Sequence, residues 1–474
     1  MPMAATNIRQ MTRTGTDSAM RGLAEAGIKS YLESGMGADE GQVLIADEQK
    51  LSLPVKTFIN GGPPIPVMIM KDTLRTIVMS QREELSALET GIGREDAEKA
   101  DLNAPFATII TGVRRCGKST LLRQLMGKAR TRYYFNFEDP RATNFGVADF
   151  PKLDEIFAEE YGKGGCYFFD EIQNVPKWEV FIRRLIDGKR HAIITGSNAS
   201  LLSRELGTRL TGRHLNVELF PFSFGEFLEL KGRAPGAEAF RDYLSNGGFP
   251  EYLKTGRTDV LQELLNDIIM RDIAVRYGIR NTRVLKELAV YLLTNVGKEF
   301  TYNSLKKTFR LGSINSVISF ISHFEDAYLL FTVPRFDYSF RKRVNSPKKI
   351  YAVDNGLSGK NSASFSEDKG RLLENAVFTR LRRSGGEVFY FRGEGECDFV
   401  VKEGSRITGA IQVCHDLNEE NMERETGGLL EAMKKFGLKE GLLLTDSRED
   451  ELKEGGLRIK VRPAWKWMLE NAKK

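Results

Sequence analysis

Thr108–Thr120 reads TIITGVRRCGKST. An uncharged strand-like run leads into Gly112-Val113-Arg114-Arg115-Cys116-Gly117-Lys118-Ser119, which fits the spacing GxxxxGK[ST] in full. The helix-like run STLLRQLM follows it. Strand, glycine-rich loop and helix in that order make a phosphate-binding loop. The glycines let the backbone turn tightly so that its N–H groups face the phosphates, and the helix N-terminus adds partial positive charge. ATP is the expected ligand, along Gly112, Val113, Arg114, Arg115, Cys116, Gly117, Lys118, Ser119 and Thr120. Lys118 is expected on the β- and γ-phosphates, and the Ser119 hydroxyl on Mg2+.

Working outward, three more apolar runs alternate with amphipathic segments: RYYFNF (Arg132–Phe137), GCYFFD (Gly165–Asp170) and HAIITGS (His191–Ser197). Short buried strands separated by helices predict an α/β fold with a parallel sheet over residues 67–231. The second run ends in Asp170-Glu171. About fifty residues after a phosphate loop, Asp170 is expected on Mg2+ and Glu171 is expected to orient or deprotonate an attacking water. The third run ends in Thr195-Gly196-Ser197-Asn198. Ser197 and Asn198 are candidate γ-phosphate or water contacts, with a helix N-cap as the plain alternative. Arg213, and Arg209 more weakly, are candidates to offset transition-state charge, in the same chain or from a neighbour.

These motifs, with YFNFEDP, FFDEIQNVPKWE, ITGSNASLL and LTGRHLNVELFPFSFGEFL, resemble the bacterial and archaeal AAA-type ATPases whose C-terminal part is the DUF4143 domain. The resemblance runs from about Met70 to Arg462. It implies an ATPase core, a winged-helix region and a C-terminal domain similar to restriction-endonuclease folds.

The residues themselves support that division. From 232 to 345 the pattern is helical, and three helices followed by LLFTVPRF and KKIYAVD give the order of a winged helix. FRKRVNSPKK (Phe340–Lys349) gathers Arg341, Lys342, Arg343, Lys348 and Lys349 beside Phe336, Tyr338 and Phe340. Lys306, Lys307 and Arg310 lie just upstream. Basic residues interleaved with aromatics suit DNA phosphates and stacking, against a solvated loop or a protein-packing surface.

Residues 346–474 mix strands and helices again. Glu374 in a helix, Asp398 on one strand and Gln412 on the next have the layout of an endonuclease-like metal site. The catalytic lysine expected two residues after Gln412 is Cys414. A thiol is a weak donor and a thiolate has the wrong sign. His415 points to the opposite face by strand alternation, and Lys402 shares the face of Asp398. The expectation is a degenerate site that holds DNA or a protein without cutting, with an ATP-regulated nuclease and a hairpin with no site as the alternatives.

Residues 1–66, rich in Gly, Ser, Thr and Met and ending in NGGPPIPV, show no chemistry. They read as a poorly ordered extension, a start placed ahead of Met68 or Met70, or a small partner-binding module. Across the whole chain, 474 residues with 41% apolar and 28% charged content fit about three soluble domains. The net charge of +6 is too slight to imply nucleic acid without a basic patch. Four cysteines without paired spacing fit reduced thiols, hence a cytoplasmic protein with no membrane span.

Overall fold

The computed structural model describes residues 68–102, 104, 106–196, 213–364 and 368–470. The extension 1–66, Ser197, Asn198 and Arg209 lie outside the described residues. Everything below concerns the compact unit Pro66–Lys474.

The ATPase-like core opens with helix α1 (Lys71–Ala87) and contains strands β1 (Ala107–Gly112), β2 (Arg132–Asn136), β3 (Cys166–Asp170), β4 (Ala192–Gly196) and β5 (His214–Leu219). Helices α2 (Lys118–Met126), α3 (Phe150–Tyr161) and α4 (Trp178–Asp187) connect them. The five strands form one parallel sheet in the order β2-β3-β4-β1-β5. Every residue of β1 is buried, as a central strand covered on both faces requires. Side-chain alternation divides the core: Ile109, Tyr133, Phe135, Tyr167 and Phe169 pack on one face, Ile110, Phe168 and Val217 on the other. The topology is that of a P-loop AAA core.

Helices α5 (Phe224–Lys231), α6 (Ala237–Asn246), α7 (Pro250–Thr255) and α8 (Thr258–Asp267) follow. The last continues into a π-helical segment, Ile268–Val275. Next come α9 (Thr282–Thr294), β6 (Glu299–Phe300), α10 (Tyr302–Thr308), α11 (Ile314–Asp326), β7 (Leu330–Pro334), α12 (Phe340–Asn345) and β8 (Lys348–Ala352). The expected strand pair forms, and β6 joins it to give an antiparallel sheet in the order β6-β8-β7. The division expected at 345/346 therefore falls just before the central strand of this sheet.

After α13 (Asn355–Asn361) and α14 (Lys369–Arg383), the C-terminal sheet contains β9 (Glu387–Arg392), β10 (Glu396–Glu403), β11 (Arg406–Val413), β12 (Glu440–Thr445), β13 (Asp450–Glu454) and β14 (Leu457–Pro463). Its order is β13-β14-β12-β11-β10-β9, with β9, β10 and β11 antiparallel in turn and β12 parallel to β11. Helix α15 (Glu419–Phe436) packs on it, and α16 (Ala464–Leu469) returns to α5 of the first region. No helix among the described residues is long and apolar enough to cross a membrane.

Candidate functional site: the phosphate loop and its neighbours

The strand order places the site. β4 lies between β1 and β3, so the loop after β1 and the acidic pair after β3 flank the end of β4. Gly112 has φ 152°, and a Cβ there would lie 2.1 Å from the Leu219 carbonyl oxygen. Gly117 has φ 102°, and a Cβ there would meet Arg94 Nη1 at 2.8 Å. Neither position admits a side chain without moving backbone or a pinned guanidinium. Lys118 begins α2, is buried, and donates from Nζ to the carbonyls of Gly112 and Val113 at 3.1 Å each. Arg115 takes φ 61°, in the left-handed region that non-glycine residues occupy at a cost. The Cys116 side chain is fully buried against Leu219 O at 3.4 Å, and burial pushes its thiol up, so it packs and does not react.

Asp170 ends β3, and the Thr195 hydroxyl at the end of β4 donates to its Oδ1. The Glu171 N–H donates to the same Thr195 oxygen at 3.0 Å. Ser119 lies beside Asp170 on one cavity wall, where its hydroxyl favours that carboxylate's charged form. Burial, then the Glu171 charge, hold the Asp170 carboxyl above its ordinary range. Glu171 sits in a left-handed turn at φ 51° and accepts a hydrogen bond from Gln173 Nε2. A cavity of about 500 Å³ lies over the loop, lined by Arg94, Arg114, Lys118, Thr120, Glu171 and Phe222 among others. A second, of about 610 Å³, opens on Ser119 and Asp170 from the side of α1.

Lys118, Ser119, Asp170 and Glu171 are therefore brought together as the spacing predicts. Arg213 is not. Its carbonyl accepts from Ala107 N at 3.2 Å, at the start of β1, and its guanidinium pairs with Asp187 at 2.6 Å. Gly112 is at the other end of that strand, roughly 16 Å away at 3.3 Å per residue. The parallel pairing of β5 with β1 separates Arg213 from its own chain's loop.

Sequence reasoning passed over several residues that shape the site. Arg94, upstream of the loop and almost fully buried, donates from Nη1 to Cys116 O and from Nη2 to Phe220 O, both at 2.7 Å. Its Nε reaches Glu226 at 2.8 Å. Glu226 is held by the α5 capping box with Ser223. The Arg114 and Arg115 side chains reach toward the helical region while lining the cavity over the loop. Arg114 forks onto Asp272 of the π-helical segment at 2.9 and 2.8 Å, and Arg115 pairs with Glu251 and Asp267. Thr195 reads in the sequence only as a strand residue ahead of Ser197 and Asn198, yet its hydroxyl is the oxygen that meets both acidic residues. An arginine 18 residues before a loop, or an aspartate 160 after it, has no local sequence signature.

Residues 105–228 match the family described as "AAA domain", and residues 237–366 match a domain of unknown function, DUF8612. An uncharacterized protein of Methanocaldococcus jannaschii is 34% identical over 393 residues, which covers 76% of this chain and 88% of that protein. The chain belongs to its family of AAA-domain proteins. Another relative of this AAA-domain chain, from Haemophilus influenzae, is 29% identical over 381 residues, covering 75% of this chain and 92% of its own. Among solved structures, a signal-transduction ATPase with a tetratricopeptide repeat sensor from Pyrococcus horikoshii aligns at 14% identity and TM-score 0.27. That alignment covers 62% of this chain and 46% of that one. AMPPCP-bound DnaA from Aquifex aeolicus aligns at 15% identity and TM-score 0.24, covering 54% and 89%. At those scores neither carries weight here; the AAA assignment rests on the sheet order, the loop and the family match.

The two outlying sites expected from sequence are rearranged in this AAA-domain chain. Arg341 and Lys342 are exposed on α12 between β7 and β8, beside Tyr338 and Phe340, which are 75% and 72% exposed. Arg343 and Lys348 are half-buried, Lys348 with its ammonium over the Tyr302 ring. Lys349 is no surface contact at all. It is 3% exposed, and strand alternation turns it inward next to the outward Lys348. Its Nζ lies 3.1 Å from Glu374, 2.8 Å from Glu396 and 2.8 Å from Asp398.

Glu374, Asp398 and Gln412 therefore do not converge as a metal-holding set. Gln412 Oε1 accepts from Asp398 N at 3.1 Å and its Nε2 donates to Glu425 at 2.7 Å, so both ends of its amide are engaged. Among the described residues, no group of three or more His, Cys, Asp or Glu is placed to hold a metal ion. Lys402, the candidate substitute cation, pairs with Glu387 at 2.6 Å. Cys414 is buried with its thiol pushed up to about 11, chiefly by burial.

Proposed function

We propose that this chain is a Mg2+-dependent ATPase whose hydrolysis cycle controls how its downstream regions engage DNA or a protein partner. The observation that carries the reading is the convergence of Lys118, Ser119, Asp170, Thr195 and Glu171 at the carboxyl ends of the three interior strands of the parallel sheet. Gly112 to Thr120 wrap the phosphates with backbone N–H groups, and Lys118 leaves its carbonyl partners for the β- and γ-phosphates. Hydroxyl and carboxylate oxygens from Ser119 and Asp170 suit Mg2+, a hard cation that takes oxygen ligands. When bound there, Mg2+ supplies charge neutralisation on the phosphates. Glu171 orients the attacking water and takes its proton as the bond from Pγ to the bridging oxygen breaks, giving ADP and phosphate. Thr195 holds the Asp170–Glu171 pair in register.

The order α9-β6-α10-α11-β7-α12-β8, with the short α12 between the two strands, supports the winged-helix reading of residues 282–352. The exposed Tyr338, Phe340, Arg341 and Lys342 at its tip, with Arg343 and Lys348 beside them, support contact with DNA. The DUF4143-like reading of the C-terminal domain rests on its motifs and sheet order, and a cytoplasmic setting rests on the four free thiols. A second reading, a nucleotide-driven switch acting on proteins without nucleic acid, is favoured by the ion pairs that tie Arg114 and Arg115 to the helical region.

ATP turnover measured with and without duplex and single-stranded DNA, at two salt concentrations, separates the two. DNA stimulation that weakens with salt and with neutralised Arg341 and Lys342 is the expected result. Turnover indifferent to DNA favours the protein switch. No turnover, together with no nucleotide binding, overturns both.

A further inference from the structure

The acid cluster of the C-terminal domain has its own resident cation, and that cation comes from a different sheet. Glu374 stands on the first turns of α14, and Glu396 and Asp398 begin β10. Their carboxylates converge on the ammonium of Lys349, a residue of the central strand of the β6-β8-β7 sheet. The lysine is fixed on both sides. Its backbone pairs with Glu299 of β6 and Val333 of β7, and its neighbours Ile350 and Tyr351 are buried. Tyr351 donates from its hydroxyl to Glu374 at 2.6 Å, on the same oxygen that Lys349 reaches. Asp398 takes the Val413 N–H at 3.1 Å on its second oxygen.

A divalent ion binds carboxylate oxygens at about 2.0–2.6 Å, shorter than these ammonium contacts, so the three acids, which are not placed to hold a metal as they stand, would have to close in on it. Ammonium and metal cannot share it: two like charges a few ångströms apart in a buried site repel strongly. What holds the lysine side chain inward is its three ion pairs and its burial at 3% exposure.

We propose that the Lys349 ammonium replaces a divalent cation, so that Glu374, Glu396 and Asp398 form a lysine-filled site that the wild-type chain keeps closed to Mg2+ and Mn2+. Removing the lysine's charge opens it to such an ion. Without the ammonium, the buried Glu374 and Asp398 lose their counter-charge while the half-exposed Glu396 keeps Arg392 nearby at 3.8 Å, and a hard divalent cation is the ligand class that relieves the buried pair. On this proposal the expectation of a domain without cutting chemistry has a different basis from the one the sequence offered. A cation is present, and it fills the metal's place.

The test titrates Mn2+ alone, without nucleotide, into full-length wild type, D398N, K349M and the double variant K349M/D398N, with bound Mn2+ read by electron paramagnetic resonance. Wild type and D398N should bind alike, and K349M should gain one Mn2+ per chain, at least about tenfold tighter than any wild-type binding. The double variant should lose it. Wild-type Mn2+ binding that D398N removes overturns the proposal. So does Mn2+-dependent DNA cleavage by wild type that D398N abolishes, or a folded K349M that gains no ion. Should K349M fold poorly in metal-free buffer, its melting temperature with and without Mn2+ decides. An upward shift that is absent in the double variant supports the proposal, and no shift in either K349M or K349Q overturns it.

Discussion

Arg114, inside the phosphate loop, holds Asp272 in a two-pronged ion pair, Nε to Oδ2 at 2.9 Å and Nη2 to Oδ1 at 2.8 Å. The loop and the π-helical segment are more than 150 residues apart in sequence, and this pair joins them. Bidentate geometry fixes both orientation and distance, which a lysine at 114 would not do. Asp272 is 3% exposed while Arg114 keeps some access to solvent. The two deletions are therefore unequal. R114A strands a buried carboxylate and should cost about 3–5 kcal/mol of stability. D272N leaves a guanidinium that can reach water and should cost about 1–2 kcal/mol. Urea unfolding of both variants measures the difference, and equal losses would mean that Asp272 is not the constrained partner.

Arg94 should set nucleotide affinity without touching the chemistry. Its guanidinium bonds the carbonyl of Cys116 and crowds Gly117, so it presses the loop into the shape that Lys118 needs. R94M should weaken binding of a fluorescent ATP analogue by roughly tenfold, the worth of one charge-assisted hydrogen bond or so. R94K, which keeps the charge but not the fork, should recover only part of it. E226Q, on the partner that orients Arg94, should weaken binding in the same direction. If R94M binds nucleotide as wild type does, Arg94 is a packing residue only.

The residues at the carboxyl ends of these strands should separate binding from turnover. K118A removes the cation and should abolish nucleotide binding or hydrolysis. E171Q keeps shape and should retain bound ATP while turnover falls by 10²-fold or more. T195V is the less obvious variant. It deletes the one oxygen that bonds both Asp170 and the Glu171 N–H, and should lower turnover more than affinity. Pre-steady-state and steady-state phosphate release distinguish the three, and normal turnover in E171Q would remove that residue's assigned role.

The phosphate loop, the acidic pair and the alternation of strands and helices were legible because each is local. Thirteen residues from Thr108 carry a strand, a loop and a helix start, and the positions Gly112 and Gly117 have steric reasons that the pattern encodes. What was not legible depends on which strands become neighbours. β5 pairs with β1 in parallel, and that alone carries Arg213 to the wrong end of the strands. In the sequence Lys349 is indistinguishable from the half-buried Lys348 beside it. A strand's two-residue period puts adjacent lysines on opposite faces, and only the packing of β8 against α14 and β10 shows which is inside. Cys414 is legible from its own strand, whereas the cation that sits among the acids comes from a strand 65 residues earlier.

The Lys349 cluster should show itself in the pH dependence of stability. Three carboxylates share one ammonium, so burial and then the Asp398 charge push the Glu374 carboxyl from its ordinary value up to about 7. Lys349 is held well above its ordinary range: burial alone would lower it, but Asp398 and the other carboxylates outweigh that. It therefore stays charged throughout this window. Because the folded-state value of Glu374 is raised, the stability linked to it is complete below the unfolded value near 4.5 and is lost as pH rises through about 7. Gln at this position can accept from both the Tyr351 hydroxyl and the Lys349 ammonium, and it does not ionise. E374Q should match wild type near pH 4.5 and become the more stable of the two as pH rises, by about 3 kcal/mol at pH 8 if the whole shift is realised. Denaturant unfolding of both proteins at half-unit steps from pH 4.5 to 8 gives the curve. A difference that stays constant across that range would mean that Glu374 ionises no differently in the fold than in the unfolded chain.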